Sequence, residues 1–442
     1  MNLKTLKQLK KETEEEDYKK ALKETLLDLA IGKAKQKYGE VLDELLLKRL
    51  NYEIDEFAKI CDLEQIYRVL SKLERNRKVG KLYLSKLSLS NSLFFYLLGL
   101  GSVNPLPKHT YCSKCHTFYY GKKRTELCEV CETNLKEDGY DLPFEPLLDE
   151  IKNSGLRCSF SFSKSERVKD APIRYIQNSL IELSQELGFS QQEIEENDID
   201  EALAKEVINC ILTPTRQGEI SYYSKKYKKS SICDHHIFVG IGELGYPIFS
   251  NTINRYFRFL YDFDSLNKVM SMMHGSGVIE GNKKYIRNFL EAISTRDDLY
   301  QFLLRNQINK DDTILICRES RLCGRGHISS LSESKLIEAG IESKYIEFIK
   351  SISYIFHKGD SVAHTRLALK IAKIYLEDPL RYYKAFFRVN KAKLEELKVP
   401  YDFIKGLSES KSTDIEDIYL AAIDLLERGY DPTPIINEIK NN

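Results

Sequence analysis

The stretch NPLPKHTYCSKCHTFYYGKKRTELCEVCETNLKEDGYDLPFEP, Asn104 to Pro146, sets two Cys-x-x-Cys pairs between two proline-marked turns. Two residues between cysteines let both sulfurs of a pair face one ion. The 12-residue gap between Cys115 and Cys128 lets the second pair fold back and complete a tetrahedron of thiolates. Cys112, Cys115, Cys128 and Cys131 are therefore the expected ligands of a zinc ion, with four reduced thiols as the alternative. A closed four-thiolate site has no open position, so this zinc is expected to be structural rather than catalytic. His116 is surplus to a full site and reads as a surface residue, and the flank GKKRT, Gly121 to Thr125, reads as a solvated loop.

A metal site rather than a disulfide framework is expected. Of its ten cysteines, Cys61, Cys158, Cys210, Cys233, Cys317 and Cys323 are scattered, and the start MNLKTLKQLKKETEEEDYKK is charged and has no apolar core. A reducing cytoplasm is the expected location. The longest apolar run, SLFFYLLGLG at Ser92 to Gly101, is about half the ~18 residues of a membrane span and reads as a buried element. The 442 residues suffice for roughly two to four domains. With 67 basic residues against 66 acidic ones, the net charge is +1, so any nucleic-acid surface must be a local patch.

Working outward from the cysteines, residues 1 to 50 read as helix with solvated Glu/Lys faces, and Leu50 to Leu73 as a further amphipathic helix. The segment up to Ser102 reads as a strand or loop feeding a buried helix. Residues 147 to 205 read as acidic helices with Ser190 as an N-cap, and 211 to 250 as the least helical part. From Asn251 the chain is helical again, punctuated by HGSG (274–277), CGRGH (323–327) and FHKGD (356–360). The last clear helix, Asp414 to Arg428, is expected to stop at Gly429.

The cysteine segment, with its NPLPKH lead and its KEDGYDLPFEP tail, closely resembles the zinc-bearing segment of PolC-type bacterial DNA polymerase III alpha subunits. Other stretches resemble that family in the same order. They are KYGEVLDELLLKRLNYEIDEFAK upstream, then SMMHGSGVIEGN, STRDDLYQFL, the fingers-like SYIFHKGDSVAHTRLALKIAKIYLEDPLRYYKAFFRVN, and DLLERGYD. The resemblance runs from about Lys37 to Tyr430. It implies a predominantly helical α+β fold: a remnant polymerase palm with an inserted zinc knuckle and a helical fingers-like domain. The implied division is an N-terminal helical and palm-like region at 1–103, the zinc module at 104–146 and a degenerate palm or thumb-like region at 147–235. A fingers-like domain at 236–390 and C-terminal helices at 391–442 follow.

The departures from the family carry the functional expectation. The family's palm strand Asp-Ile-Asp-Leu-Asn-Phe-Ser holds catalytic metal ions on its two aspartates. Aligned on Phe162 and Ser163, those positions are Arg157 and Ser159; shifted by two they are Gly155 and Arg157. Neither register offers a carboxylate, and the segment with the third aspartate reads as deleted. Asp262 and Asp264 form an Asp-x-Asp but read as capping or solvent-facing acids. The family's glycine-rich phosphate segment is reduced here to VGKLYLSKLSLSNS, and Asp360 beside Lys358 would oppose a triphosphate. The family's exonuclease and phosphoesterase domains and its clamp-binding tail have no counterpart in the sequence.

The basic tract SYYSKKYKKSS offers Lys225, Lys226, Lys228 and Lys229 for phosphates and Tyr223 and Tyr227 for stacking on unpaired bases. A basic surface loop is the plainer reading. Arg325, in RESRLCGRGH, and Lys358 are further candidate nucleic-acid contacts. CDHH at 233–236 places adjacent ligands in different directions, which argues against a second metal. The sequence thus points to a catalytically inactive PolC-like protein with structural Zn2+ and no catalytic Mg2+. Its expected partners are single-stranded or primer-template DNA and replication or defence-system proteins, not a membrane, and a mobile element, phage or defence locus is the expected source. A minimal active nucleotidyltransferase and an inhibitor or accessory subunit of a host polymerase are the alternatives.

Overall fold

Asp43 and Asp62 set the starts of two of the first three helices. The computed structural model describes residues 15–85, 87–121, 126–156, 158–162, 173–177, 179–195, 201–212, 260–322, 328–397, 401–409 and 413–441. Helix α1 (Glu15–Tyr38) buries Leu22, Leu26, Ala30 and Ala34, a four-residue spacing that makes one stripe. Asp43 Oδ1 accepts from the N–H groups of Leu45 at 2.9 Å and Leu46 at 3.3 Å, which starts α2 (Glu44–Ile60). Asp62 accepts from Glu64 N at 2.9 Å and starts α3 (Leu63–Lys78). Where the periodicity predicts one helix from Leu50 to Leu73, the chain instead breaks at Cys61, which is extended. The cap explains the break: an aspartate oxygen satisfies N–H groups that have no partner inside the helix.

The chain divides into two compact units. The first holds Met1–Gln177, Ser190–Ile199 and His357–Ala363. After α3 come β1 (Tyr83–Ser85), a 3-10 turn (Leu87–Asn91) and the buried α4 (Leu93–Leu97). Then follow β2 (His109–Cys112), β3 (Phe118–Tyr120), β4 (Leu135–Asp138), α5 (Glu145–Ser154), β5 (Cys158–Phe162) and β6 (Ile173–Gln177). The strands form two small sheets. One is antiparallel, ordered β3-β2-β4; the other is mixed, ordered β1-β5-β6, with β1 antiparallel and β6 parallel to the central β5. Phe57 of α2 stacks on Phe95 with ring centroids 4.6 Å apart and meets Phe144 edge-on at 5.3 Å, so α2, α4 and the residues before α5 share one core.

The second unit holds Asn178–Phe189, Asp200–Phe356 and His364–Asn442. Its helices include α6 (Ser179–Glu186), α7 (Glu201–Leu212), α8 (Phe263–His274), α9 (Arg296–Arg305), α10 (Lys310–Leu322), α11 (Ser330–Glu338) and α12 (Ser343–Ser351). Helix α13 (Lys358–Glu377), which belongs to this unit from His364 onward and to the first up to Ala363, follows, then α14 (Pro379–Val389), α15 (Thr413–Glu427) and α16 (Pro432–Asn441). Helix α15 stops at Gly429 with φ +85°, as the sequence predicts, but α16 then continues the fold. Proline suits the first position of a helix because its missing N–H would have had no partner there.

Two polar joints brace this unit. Asp424 of α15 accepts from Tyr375 Oη at 3.1 Å, Tyr383 Oη at 2.5 Å and Arg428 Nε at 2.8 Å, tying α13, α14 and α15 together. Asn282 donates to Val278 O and Ile293 O and accepts from Ile293 N at 3.1 Å, which fixes the HGSGVIEGN segment. Gly277 lies at φ +77°, and a Cβ there would stand 2.4 Å from Ser351 O, so that glycine admits α12 against the turn. The described residues are thus predominantly helical, with two small three-stranded sheets.

Candidate functional site

Each cysteine pair closes in the same way. Cys112 N donates to Thr117 O at 2.9 Å and His116 N to Cys112 O at 2.9 Å. Cys128 N donates to Thr133 O at 2.8 Å and Glu132 N to Cys128 O at 2.9 Å. The residue after each second cysteine is left-handed, His116 at φ 60° and Glu132 at φ 56°. That conformation is uncommon outside glycine, and two copies of it mark one loop used twice. The N–H groups of Lys114 and Cys115 point at Cys112 Sγ from 3.4 and 3.5 Å, an arrangement suited to a thiolate.

The four sulfurs lie within 4.8 Å of one another. Cys112 Sγ is 3.3 Å from Cys131 Sγ, and Cys115 Sγ is 3.4 Å from Cys128 Sγ. A zinc ion with bonds of about 2.3 Å to four sulfurs needs tetrahedron edges of about 3.8 Å, so the donor set and its size fit. Hydrogen bonding from the Thr133 side chain and backbone brings the Cys131 thiol down to about 6, which favours the thiolate a metal requires.

The small sheet carrying these loops grips the end of α1. Lys37 Nζ meets Asp138 Oδ2 of β4 at 2.5 Å and donates to Tyr96 Oη at 2.6 Å. Asn104 Nδ2 donates to Asp138 Oδ2 at 2.8 Å and to Tyr38 Oη at 2.7 Å, and Gly139 N donates to Asp138 Oδ1 at 2.8 Å. His109 of β2 is buried, with Nδ1 2.8 Å from Pro107 O and Nε2 3.4 Å from Tyr38 Oη, and its ring stacks on Phe118 at 4.4 Å. Burial pushes the His109 imidazole below its ordinary value, so the neutral ring bridges the two. Gly139 sits at φ +88° with Pro107 O 2.4 Å from where its Cβ would be, which brings the NPLP lead against the EDG tail. His116 is half-buried rather than on the surface: Gly39, just past α1, would place a Cβ 2.6 Å from His116 Cβ, and His116 Nδ1 is 3.3 Å from Lys37 O. The left-handed turn after Cys115 aims the ring there.

The segment VGKLYLSKLSLSNS, Val79 to Ser92, is closed at its end by side chains of α2. Ser92 Oγ donates to the buried Glu53 Oε2 at 2.7 Å, and Phe94 N donates to the same oxygen at 2.9 Å. A carboxylate thus occupies the start of α4. Arg49 pairs with Glu53 and also donates to Asn91 O at 2.9 Å and Leu142 O at 3.2 Å. Ser90 Oγ accepts from Ser102 N at 3.2 Å. Gly359, at the start of α13 beside the half-buried Lys358, lies so close that an added Cβ would be 2.6 Å from Ser90 Cβ. Gly359→Ala is expected to destabilise the protein by about 1–2 kcal/mol through this overpacking, and Ser90→Gly in the same chain to restore most of it. Urea midpoints of the two variants measure both effects.

Other sequence candidates fall as follows. Asp262 is the N-cap of α8: its Oδ1 accepts from Ser265 N at 2.8 Å, and Ser265 Oγ accepts from Asp262 N at 3.1 Å. Asp264 is exposed on the same helix. Ser190 caps the short helix Gln191–Glu195, its Oγ accepting from Glu193 N at 3.2 Å. Ser159 lies in the central strand β5, paired with Arg174 of β6, whereas Gly155 is the C-cap of α5 at φ 70°. Arg157, Lys225, Lys226, Lys228, Lys229, Tyr223, Tyr227 and Arg325 lie outside the described residues. No helix among the described residues is long and apolar enough to cross a membrane. Sequence reasoning missed Lys37, Asp138, Asn104 and Glu53; the Asp-Gly dipeptide at 138–139 was the one local sign of them.

No protein-family model matches the chain. Curated relatives do. It is 25% identical over 476 residues to a DNA polymerase III PolC-type of Mycoplasmopsis pulmonis, covering 82% of this chain and 33% of that protein. It is 22% identical over 537 residues to the Bacillus subtilis protein of the same description, covering 92% of this chain and 37% of the relative. It is 21% identical over 540 residues to that of Thermotoga petrophila, covering 93% and 39%. The chain is a distant PolC-like relative. This PolC-like chain spans 33% to 39% of the length of those relatives. The alignments are longer than its own 442 residues, so the relatives carry residues inside the matched region that the PolC-like chain lacks.

Proposed function

We propose that the chain is a catalytically inactive, polymerase-like protein that binds DNA, with a structural zinc ion on Cys112, Cys115, Cys128 and Cys131. In this reading the mixed sheet is the remnant of a palm, 104–146 is the zinc module and 236–390 is the fingers-like domain. The observation that carries it is the make-up of the mixed sheet. Tyr83–Ser85, Cys158–Phe162 and Ile173–Gln177 include no Asp or Glu. Two-metal phosphoryl transfer needs carboxylates to hold its ions beside the reacting oxygens. The Glu53 carboxylate at Ser92 and the close seat of Gly359 on Ser90 support the same reading, because both stand where the resemblance would put a phosphate-holding segment.

Primer extension with Mg2+ or Mn2+ on the purified chain is expected to give no product. Extension that disappears in Asp262→Ala would instead establish a relocated catalytic acid. The capping role of Asp262 argues against that, since its Oδ1 already accepts from Ser265 N at 2.8 Å.

Lys225, Lys226, Lys228 and Lys229, with Tyr223 and Tyr227, supply the proposed contact to single-stranded DNA, and Arg325 and Lys358 add to it. Replacing the four lysines together with alanine is expected to lower the slope of log affinity against log salt by about 3. An unchanged slope in gel-shift titrations would remove the tract from the binding surface. Replication or defence-system proteins in the cytoplasm are the further partners this reading proposes.

A further inference from the structure

We propose that Thr117 and Thr133 are positioning residues for the metal, each bracing one thiolate through its hydroxyl. The inference goes beyond DNA binding and rests on the four-thiolate reading of the cysteines. Thr117 Oγ1 lies 2.9 Å from Cys115 Sγ, where either atom can donate; Cys131 Sγ donates to Thr133 Oγ1 at 3.3 Å, and that hydroxyl donates to Cys131 O at 3.4 Å. A metal-bound thiolate carries no proton, so in the loaded site the hydroxyl is the partner that must donate. Each threonine stands two residues after the second cysteine of its pair. Each also accepts, through its carbonyl, the N–H of the first cysteine, Cys112 at 2.9 Å and Cys128 at 2.8 Å.

The repetition is what makes the hydroxyls more than incidental. The left-handed residue between, His116 or Glu132, turns the chain so that the threonine side chain folds back over the sulfur it follows. The braced sulfurs belong to the half-buried Cys115 and Cys131, whereas Cys112 and Cys128 are buried. The two sulfurs nearer solvent are thus the ones with a threonine hydroxyl against them. A hydroxyl aimed at a metal-bound sulfur takes up part of its charge, fixes its rotamer and shields it from water. Outer-shell hydrogen bonds of this kind hold ligands ready for the ion.

The test uses the full chain and four variants, T117V, T133V, T117S and T133S. Valine keeps the shape and the β-branch but loses the donor; serine keeps the donor. Zinc affinity, from competition with a chromophoric chelator, is expected to fall about 10–100-fold in each valine variant and to stay within about 3-fold of the parent in each serine variant. With cobalt in place of zinc, the sulfur-to-cobalt charge-transfer band is expected to shift in the valine variants and not in the serine ones. Unchanged affinity and spectrum in T117V and T133V would overturn the proposal. So would an affinity loss in the serine variants equal to that in the valine ones, since the methyl group would then be what matters. If a valine variant does not fold, its serine counterpart still decides between hydroxyl and methyl. A parent chain that binds no metal would remove the four-thiolate reading itself, a different outcome from a parent that binds and variants that match it.

Discussion

Cys128→Ser, or removal of the metal by a chelator, is expected to melt the β3-β2-β4 sheet and to free the end of α1. The sheet has strands of four, three and four residues, too short to persist without a cross-link. Its inner side does hold a packed set of rings, Tyr38, His109, Tyr111 and Phe118. Those rings pack only while both loops stay closed, and without the ion the sulfurs take up protons and nothing bonds the two loops together. Structural zinc supplies folding energy directly, on the order of 10 kcal/mol in isolated zinc-finger peptides. A loss of several kcal/mol is expected here, because α1 and the ring cluster keep part of the seat. Hydrogen exchange reads it: amides of Tyr38, His109 to Cys112 and Leu135 to Asp138 should lose protection together. Retained protection across those strands in metal-free protein would show that packing alone holds the module.

How much of this was legible in the sequence depended on distance along the chain. The ligand set could be read because metal spacing is local, and so could the caps at Ser190 and Asp262, whose partners lie three residues away. The helix break at Cys61 was missed because periodicity continues across it, although Asp62 marked the restart. The His116 contact with Gly39 was missed for a different reason. Nothing in CSKCHT states that the turn after Cys115 is left-handed, and the ring's direction follows from that turn. The pairing of Lys37 with Asp138 spans 101 residues and depends on two turns at once. Family resemblance indicated that NPLP and EDG belong together but not why. The structure supplies the reason in Asn104, which bridges Tyr38 and Asp138. The mixed sheet was the least legible part, because β1 and β5 are nearly eighty residues apart and their pairing has no local signal.

Asp138→Ala is expected to cost about 3 kcal/mol, the second large effect. Breaking a buried ion pair by removing one partner typically costs 3–5 kcal/mol, because the other charge is left uncompensated. Lys37 keeps 21% of its side chain exposed while Asp138 keeps 1%, so the stranded ammonium can recover some water and the lower end applies. Lys37→Met with Asp138→Leu in one chain should be far less destabilised than Asp138→Ala alone. The pH dependence separates this pair from its neighbour. Burial pushes the Asp138 carboxyl up, but the Lys37 charge and the hydrogen bonds from Lys37 and Asn104 outweigh it and hold it below the usual carboxylate range. Its contribution is therefore present above about pH 4 and lost as pH falls through the lower folded value. Burial alone would lower the Lys37 ammonium, yet Asp138 and the tyrosines around it raise it well above its ordinary value, so its contribution is lost only in strong alkali. His109 titrates between, as do the cysteine ligands. The lowered value of His109 means that the folded state holds the neutral ring while the unfolded chain takes a proton below about 6.5. The part of the stability that His109 contributes should fall as pH drops from there, by at most about 1.4 kcal/mol per unit, until the folded value is reached, in addition to the loss that comes as protons compete with zinc for the four sulfurs. His109→Gln should flatten that limb in urea unfolding between pH 7.5 and 5.5 with zinc in excess, and Asp138→Ala should not. If both variants kept the parent's slope, acid sensitivity in this window would belong to the cysteine thiolates instead.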